Sequence, residues 1–357
     1  MAFNNAFVSA ADNNKQRIPV FLGSDNNYAP FVAITIASVL KNTKSHIDFY
    51  ILSNKISVEN QRKIRNTKNF FPNKSFSVKF VEIDMNKFSQ FNEGFGFITQ
   101  TTYTKWLIPE VDKNLEKAIW LDCDIILQGN IAELYNENLD GKIVGAVKDM
   151  TDIAQGKKRH QLLKKYTEFK NIEVWNAGVQ LIDCKKWREN DITNKLIAQK
   201  KQIISYHAKN NIKIGSADQD TSNVVLQDYK ILPLKYNTHP YAVDVCKKSK
   251  TCEELFQNSG DDLLKEAIAL HYATPDKPWK TKKVSTANKF WEMVPYTDFK
   301  DEIINIYQEN AIARISKSVN SINKLYERKI KCIYILLGVI IGCNVALLLF
   351  LSRKKII

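Results

Sequence analysis

Apolar residues recur along this chain in two alternating rhythms. Short apolar runs at residues 18–22, 48–52 and 78–83 read as strands. Between them, residues 29–41 place Ala33, Ile36, Ala37 and Leu40 at helical spacing. Ser57 stands where it can cap a charged helix that reaches to about residue 69. A short helix is expected at 101–107 and a fourth strand at 118–121, then strands at 143–147, 179–182 and 229–234, with a long amphipathic stretch at 192–210. Strand and helix in this alternation predict an α/β fold, with a mostly parallel central sheet covered by helices on both faces.

The fourth strand leads into KAIWLDCDIILQG, residues 117–129, where Asp122 and Asp124 sit two apart in an otherwise apolar run. Continued as a buried strand, this segment would turn both carboxylates to one face. Two buried carboxylates side by side repel, so a cation is expected between them, and a hard divalent metal is the simplest one. A solvated strand end with a Lys or Arg partner would carry the same short pattern.

In open α/β sheets, ligands bind beyond the carboxyl ends of the strands. The loop GSDNNY after the first strand lacks a GxGxxG fingerprint but offers small residues for close backbone approach, then Asp25, Asn27 and Tyr28. An ordinary Asn- and Asp-rich turn reads the same way. Downstream, Asn176 precedes Ala177 and Gly178 at a strand entry, and Asp218, Gln219 and Asp220 open a helix, where acidic residues also complement the helix dipole. In LHYATPDKPWK, His271 and Lys277 lie six apart around prolines that stiffen the loop. An isolated His is usually structural; here it could complete an Asp, Asp, His metal site.

The net charge of +14 suits anionic partners in general. No Arg-rich helix, RNP-type motif or zinc-finger spacing supports nucleic acid, and a Lys-rich solvated surface accounts for much of the excess. Cys246 and Cys252 are close enough in sequence to pair but fit no common zinc spacing, and without a secretion signal the thiols are expected to be reduced. Residues 1–17 lack a basic start and an apolar core, so they read as a flexible polar extension and no signal peptide.

Taken in order, FLGSDNNY, TTYTKW, WLDCD, WNAGVQLIDCKKW, ADQD and LHYATPDKPW resemble glycosyltransferase family 8 over residues 18–279. That family includes retaining lipopolysaccharide galactosyl- and glucosyltransferases and glycogenin. The resemblance implies a GT-A fold and a retaining hexosyltransferase. Its donor would be UDP-galactose or UDP-glucose, its cofactor Mn²⁺ with Mg²⁺ as the alternative, and its acceptor a glycan or lipid-linked glycan. Matched residue by residue, Asp122, Asp124 and His271 would hold the metal. Gly23, Asp25, Asn27 and Tyr28 would bind the uridine, with Asp122 also on the donor side. Thr274, where some members have Gly, and Lys277 would meet the diphosphate. Lys105, Asn176, Asp218 and Gln219 are the candidate catalytic residues around the sugar.

A double displacement would need a carboxylate on the far face of the sugar. Asp218 and Gln219 are the candidates, and an amide is a poor nucleophile, so front-side attack is the favoured reading. A glycogenin-like self-glucosylating primer, with acceptors among the 14 Tyr, and a non-catalytic sugar-nucleotide-binding protein at the membrane are the rival readings.

The last expectation concerns the C-terminus. Residues 332–351, CIYILLGVIIGCNVALLLFL, carry no charge and would rise about 30 Å as a helix, the thickness of a bilayer's hydrocarbon core. Arg314, Lys317, Lys324, Arg328, Lys329 and Lys331 alternate upstream with Ile312, Ile315, Val319, Ile322 and Tyr326. The expected organisation is a polar extension at 1–17, a GT-A catalytic domain at 18–300, a basic amphipathic juxtamembrane helix at 301–331, a transmembrane helix at 332–351 and a short basic tail at 352–357. That arrangement predicts a single-pass membrane protein whose catalytic domain faces the cytoplasm.

Overall fold

A computed structural model describes residues 16–91, 99–156, 174–210, 218–249, 260–281 and 283–354, without the side chains of 210, 248–249 and 342–354. The first 15 residues of the expected polar extension and Cys252 lie outside these ranges. By its internal contacts the chain divides into two units, Met1–Ile303 and Ile304–Ile357.

The first unit is built on a seven-stranded sheet of order β3-β2-β1-β4-β7-β6-β8. Its strands are β1 (Arg17–Asp25), β2 (His46–Asn54), β3 (Phe76–Glu82), β4 (Lys117–Leu121), β6 (Val144–Lys148), β7 (Trp175–Asp183) and the two-residue β8 (Lys230–Ile231). All run the same way except β7, which is antiparallel to both neighbours. The mostly parallel sheet is therefore as the pattern predicts, and the apolar runs of β1 and β2 are buried along almost their whole length.

Local signals place the flanking elements well. The helix Ala29–Asn42 spans the expected segment, and Ser57 caps Val58–Arg65 by accepting from the Asn60 amide. The expected helix at 101–107 is a 3-10 turn, Gln100–Leu107. The helix Ala29–Asn42 is buried on every side from Ala29 to Leu40 because it packs between layers. Behind it lies a second, two-stranded sheet, β5 (Ile125–Leu127) against β9 (Ala269–His271). Across the main sheet, Phe21, Trp106, Trp120, Trp175 and Trp187 belong to one aromatic core.

The pattern misplaces one feature that matters for chemistry. Asp122, Cys123 and Asp124 are not in a strand: β4 ends at Leu121 and the chain turns before β5 begins at Ile125. The turn carries the backbone from the large sheet to the small one, and Thr35 Oγ1 secures it by donating to the carbonyls of Cys123 (3.1 Å) and Ile125 (3.0 Å).

Two further expectations are corrected. Cys246, read as a reduced thiol, is disulfide-bonded. The transmembrane helix at 332–351 is not borne out: among the described residues no helix is long and apolar enough to cross a membrane. The apolar run is no helix of its own but the continuation of the 55-residue helix Lys300–Lys354, whose preceding turns carry Arg328, Lys329 and Lys331. Of this run, the side chains of residues 332–341 are described. Those of 342–351 lie outside the described residues. The single-pass anchor, the juxtamembrane role of 301–331 and the cytoplasm-facing membrane localisation lose their basis together.

Candidate active site

Four chain segments meet at one edge of the main sheet. Parallel β1 and β4 end there at Asp25 and Leu121, β6 ends there before Asp149, and antiparallel β7 begins there at Trp175. The loop after β1, the Asp122–Asp124 turn and Asn176 are thereby gathered by topology. His271 joins them from the small sheet, where it stands opposite Ile125 in the β5–β9 pairing.

Each carboxylate of the turn has one oxygen committed and one left over. Asp122 Oδ1 accepts from Trp120 Nε1 (2.7 Å) and Lys105 Nζ (3.3 Å). Asp124 Oδ2 is paired with the Lys277 ammonium, which also donates to the Tyr272 carbonyl (2.5 Å). Asp122 Oδ2 lies 3.9 Å and Asp124 Oδ1 3.2 Å from His271 Nε2. One ligand atom from each of Asp122, Asp124 and His271 lies within 4.8 Å of the other two, and Asp124 Oδ1 is buried without a hydrogen bond. Two carboxylate oxygens and an imidazole nitrogen, one oxygen orphaned, fit a divalent cation. Burial by itself would push the Asp124 carboxyl up, but the Lys277 ammonium and His271 hold it far below the usual carboxylate range.

Cys123 points the other way, its thiol donating to the Gly23 carbonyl (3.2 Å), and burial between the two aspartates raises it well above an ordinary thiol. Gly23 is there for space: a Cβ would lie 2.5 Å from Thr104 Oγ1 and 2.7 Å from the Trp120 ring. Asp25 Oδ1 accepts from the amides of Asn27 and Tyr28, which shapes the turn. Asn27 is exposed and Tyr28 half-buried. The Tyr28 hydroxyl is raised by burial and then by the Asp124 charge. Thr274 is half-buried, and its hydroxyl reaches the Asp276 carbonyl only at 3.5 Å.

Lys105 is 2 % exposed, and its ammonium is surrounded by acceptors: Asp218 Oδ2 (2.7 Å), Asp122 Oδ1 (3.3 Å) and the Ala177 carbonyl (3.2 Å). Burial opposes its charge, yet the two aspartates more than offset this and raise its pKa. Asp218 also accepts from Thr102 Oγ1 (2.7 Å) and makes no side-chain bond to its own helix, so its charge serves Lys105 and not the helix end. Gln219 Oε1 accepts from Asn176 Nδ2 and the Ala177 amide, both at 3.2 Å, and its Nε2 donates to Asp149 Oδ2 (2.5 Å).

Three neighbours went unread in the sequence. Asp149 also caps Met150–Ala154 through the amides of Thr151 and Asp152, and only that capping pattern was visible beforehand. Asn237 Oδ1 lies 2.9 Å from His271 Nδ1. His239 packs edge-on against the His271 ring at 4.9 Å and is pushed down to about 3 by burial and by that neighbour. Neither Asn237 nor His239 stands in a motif that announces it.

The sequence model of the glycosyl transferase family 8 matches residues 19–283, the whole span that builds this site. The chain belongs to glycosyltransferase family 8. It is thus a glycosyl transferase, as the ordered motifs led one to expect. A putative glycosyltransferase of Haemophilus influenzae is 29% identical over 270 residues, covering 75% of this chain and 74% of that protein. A lipopolysaccharide 1,2-glucosyltransferase of Escherichia coli K12 is 23% identical over 346 residues, covering 94% and 92%. Among solved structures, the galactosyltransferase LgtC in complex with donor and acceptor sugar analogues superposes with a TM-score of 0.66 at 21% identity. That match covers 79% of this chain and 96% of LgtC, so the family member shares its fold.

Proposed function

We propose that this family 8 enzyme transfers galactose or glucose, with retention, from a UDP-sugar to a glycan or glycolipid acceptor. The observation that carries the reading is the convergence of Asp122 Oδ2, Asp124 Oδ1 and His271 Nε2 on one point beside Lys277. A UDP-sugar brings a diphosphate, and the bond from the anomeric carbon to its β-phosphate oxygen must break with negative charge left on that phosphate. The lipopolysaccharide glucosyltransferase among its relatives supports a hexose donor and a glycolipid acceptor.

Asp122, Asp124 and His271 would hold Mn²⁺, or Mg²⁺ in its place, which when bound supplies Lewis-acid charge to diphosphate oxygens. Lys277 adds a fixed ammonium on the same side, and Thr274 offers a hydroxyl. Gly23, Asp25, Asn27 and Tyr28 would receive the uridine, with Tyr28 as a stacking face. Asn176, Asp218 and Gln219 line the sugar side. Lys105, already surrounded by two carboxylates and a carbonyl, acts by holding Asp122 and Asp218 in place and not by reaching the donor.

The commitments of Asp218 and Gln219 support front-side attack. Asp218 is tied to Lys105 and Thr102, and Gln219 is an amide held at both ends, so neither presents a ready nucleophile. The acceptor oxygen would bond to the anomeric carbon on the face from which the phosphate oxygen departs. The hydroxyl proton passes to that departing phosphate.

A thermal-shift panel of UDP, UDP-glucose, UDP-galactose and UDP-N-acetylglucosamine, each with and without Mn²⁺, tests donor class and cation together. A ligand at a hundred times its dissociation constant should stabilise the fold by about 2.7 kcal/mol. Stabilisation by UDP-hexose that depends on Mn²⁺ supports the proposal; a flat panel overturns it. Labelled donor incubated without acceptor separates this reading from a self-glucosylating primer, which would label itself.

A further inference from the structure

His271 is held from behind by a chain of side-chain amides whose polarity can be read from one end to the other. The backbone amide of Gly178 can only donate, and it faces Asn176 at 2.9 Å, so the facing atom of Asn176 is its oxygen. Asn237 approaches that same oxygen at 2.9 Å and must turn its NH₂ toward it. The opposite corner of Asn237 is therefore its oxygen, and this lies 2.9 Å from His271 Nδ1. An oxygen there accepts, so Nδ1 carries the proton.

The other branch agrees. The Asn176 NH₂ donates to Gln219 Oε1, which also takes the Ala177 amide, and the Gln219 NH₂ ends on the Asp149 carboxylate, an acceptor only. Reversing Asn176 would set donor against donor at Gly178, reversing Gln219 would do so at Ala177 and set acceptor against acceptor at Asp149, and reversing Asn237 would set its oxygen against that of Asn176. In a chain this buried, with Asn237 at 0 % and Asp149 at 1 % exposure, water cannot repair such a mismatch.

We propose that Asn237 is a positioning residue: it holds His271 with its proton on Nδ1 and leaves Nε2 bare toward Asp122 and Asp124. When the ring is neutral, the bare Nε2 lone pair faces the orphaned Asp124 Oδ1, two acceptors 3.2 Å apart with nothing between them to donate. That arrangement is unfavourable alone and favourable around a cation, and it links the cation ligand His271 to Gln219 on the sugar side. The inference rests on the cation site of the proposed function and adds the group that prepares one of its ligands.

The test uses the whole protein labelled with ¹⁵N in its five histidines. Two-bond ¹H–¹⁵N correlation in alkaline buffer without metal should show the neutral His271 ring protonated on Nδ1, its signals assigned by their loss in His271→Gln. Asn237→Ala should give a mixture of tautomers and weaken Mn²⁺ binding, read from the free Mn²⁺ signal by electron paramagnetic resonance, by roughly 10- to 100-fold. Asn237→Asp keeps an oxygen facing Nδ1 and should retain the tautomer, although its second oxygen meets the Asn176 oxygen and costs stability and affinity. If Asn237→Ala does not fold, the unmodified protein and Asn237→Asp decide. A proton on Nε2 in the unmodified protein overturns the proposal. So does an unchanged tautomer and affinity in Asn237→Ala, or a mixture of tautomers in Asn237→Asp like that in Asn237→Ala. Absence of any divalent-cation binding by the unmodified protein overturns the metal reading beneath it, which distinguishes the two failures.

Discussion

A Cβ placed on Gly178 would lie 2.2 Å from Cε1 of His271, so the imidazole rests directly on the backbone of β7. The small residue after Asn176 and Ala177 is there to admit the ring. Gly178→Ala should displace His271 from Asp122 and Asp124, abolish Mn²⁺ binding and cost about 1–3 kcal/mol of stability through overpacking. Calorimetric titration with Mn²⁺ and urea unfolding check both effects. Retained binding would show that His271 at the end of β9 can retreat without loss.

Asp124→Asn should abolish Mn²⁺-dependent stabilisation by UDP-sugar, together with transfer. It also strips Lys277, which is 7 % exposed, of its counter-ion, so a cost of about 3–5 kcal/mol to the metal-free fold is expected as well. Adding Lys277→Met should recover part of that stability and none of the activity. Full transfer by the single variant would remove Asp124 from the cation site.

His271→Ala should weaken Mn²⁺ binding by at least about 10-fold, whereas His46→Ala should leave it unchanged. His46 begins β2 at the far end of the sheet, where its ring nitrogens meet Asp48 (3.1 Å) and Ser75 (2.7 Å). Equal effects in the two variants, measured by titration at fixed pH, would reduce His271 to a structural role.

Lys105→Met leaves Asp122 and Asp218 without the ammonium between them. A loss of about 3–5 kcal/mol in denaturant unfolding is expected, with transfer lost as Asp122 shifts. The companion variant Lys105→Met with Asp218→Asn removes one of the stranded charges and should be more stable than Lys105→Met alone. If Lys105→Met unfolds like the unmodified protein, the ion-pair network contributes little to holding the site.

What the chain alone determines here is whatever depends on near neighbours in sequence. The strand periods of β1 and β2, the Ser57 cap and the order of the six motifs are of this kind, because pleat, helical pitch and capping are set within a few residues. Family membership was legible for that reason, and the grouping of Asp122 and Asp124 with His271 was assigned only through the family resemblance. The period-2 argument for the aspartates nevertheless failed, since the chain leaves β4 for a second sheet at that point. The 332–351 run misled in the same way: apolarity is local, but whether it makes a separate spanning helix depends on how the long helix continues through it.

Tertiary structure alone decided which oxygen of each carboxylate is free, that Lys105 is committed to Asp122 and Asp218, and that Asn237 and Asp149 matter at all. Lys277 meets Asp124 across 153 residues and His271 meets Asn237 across 34. A hydrogen bond's energy depends on the distance and direction between its two groups, and for groups so far apart in sequence only packing of the sheets and helices sets them.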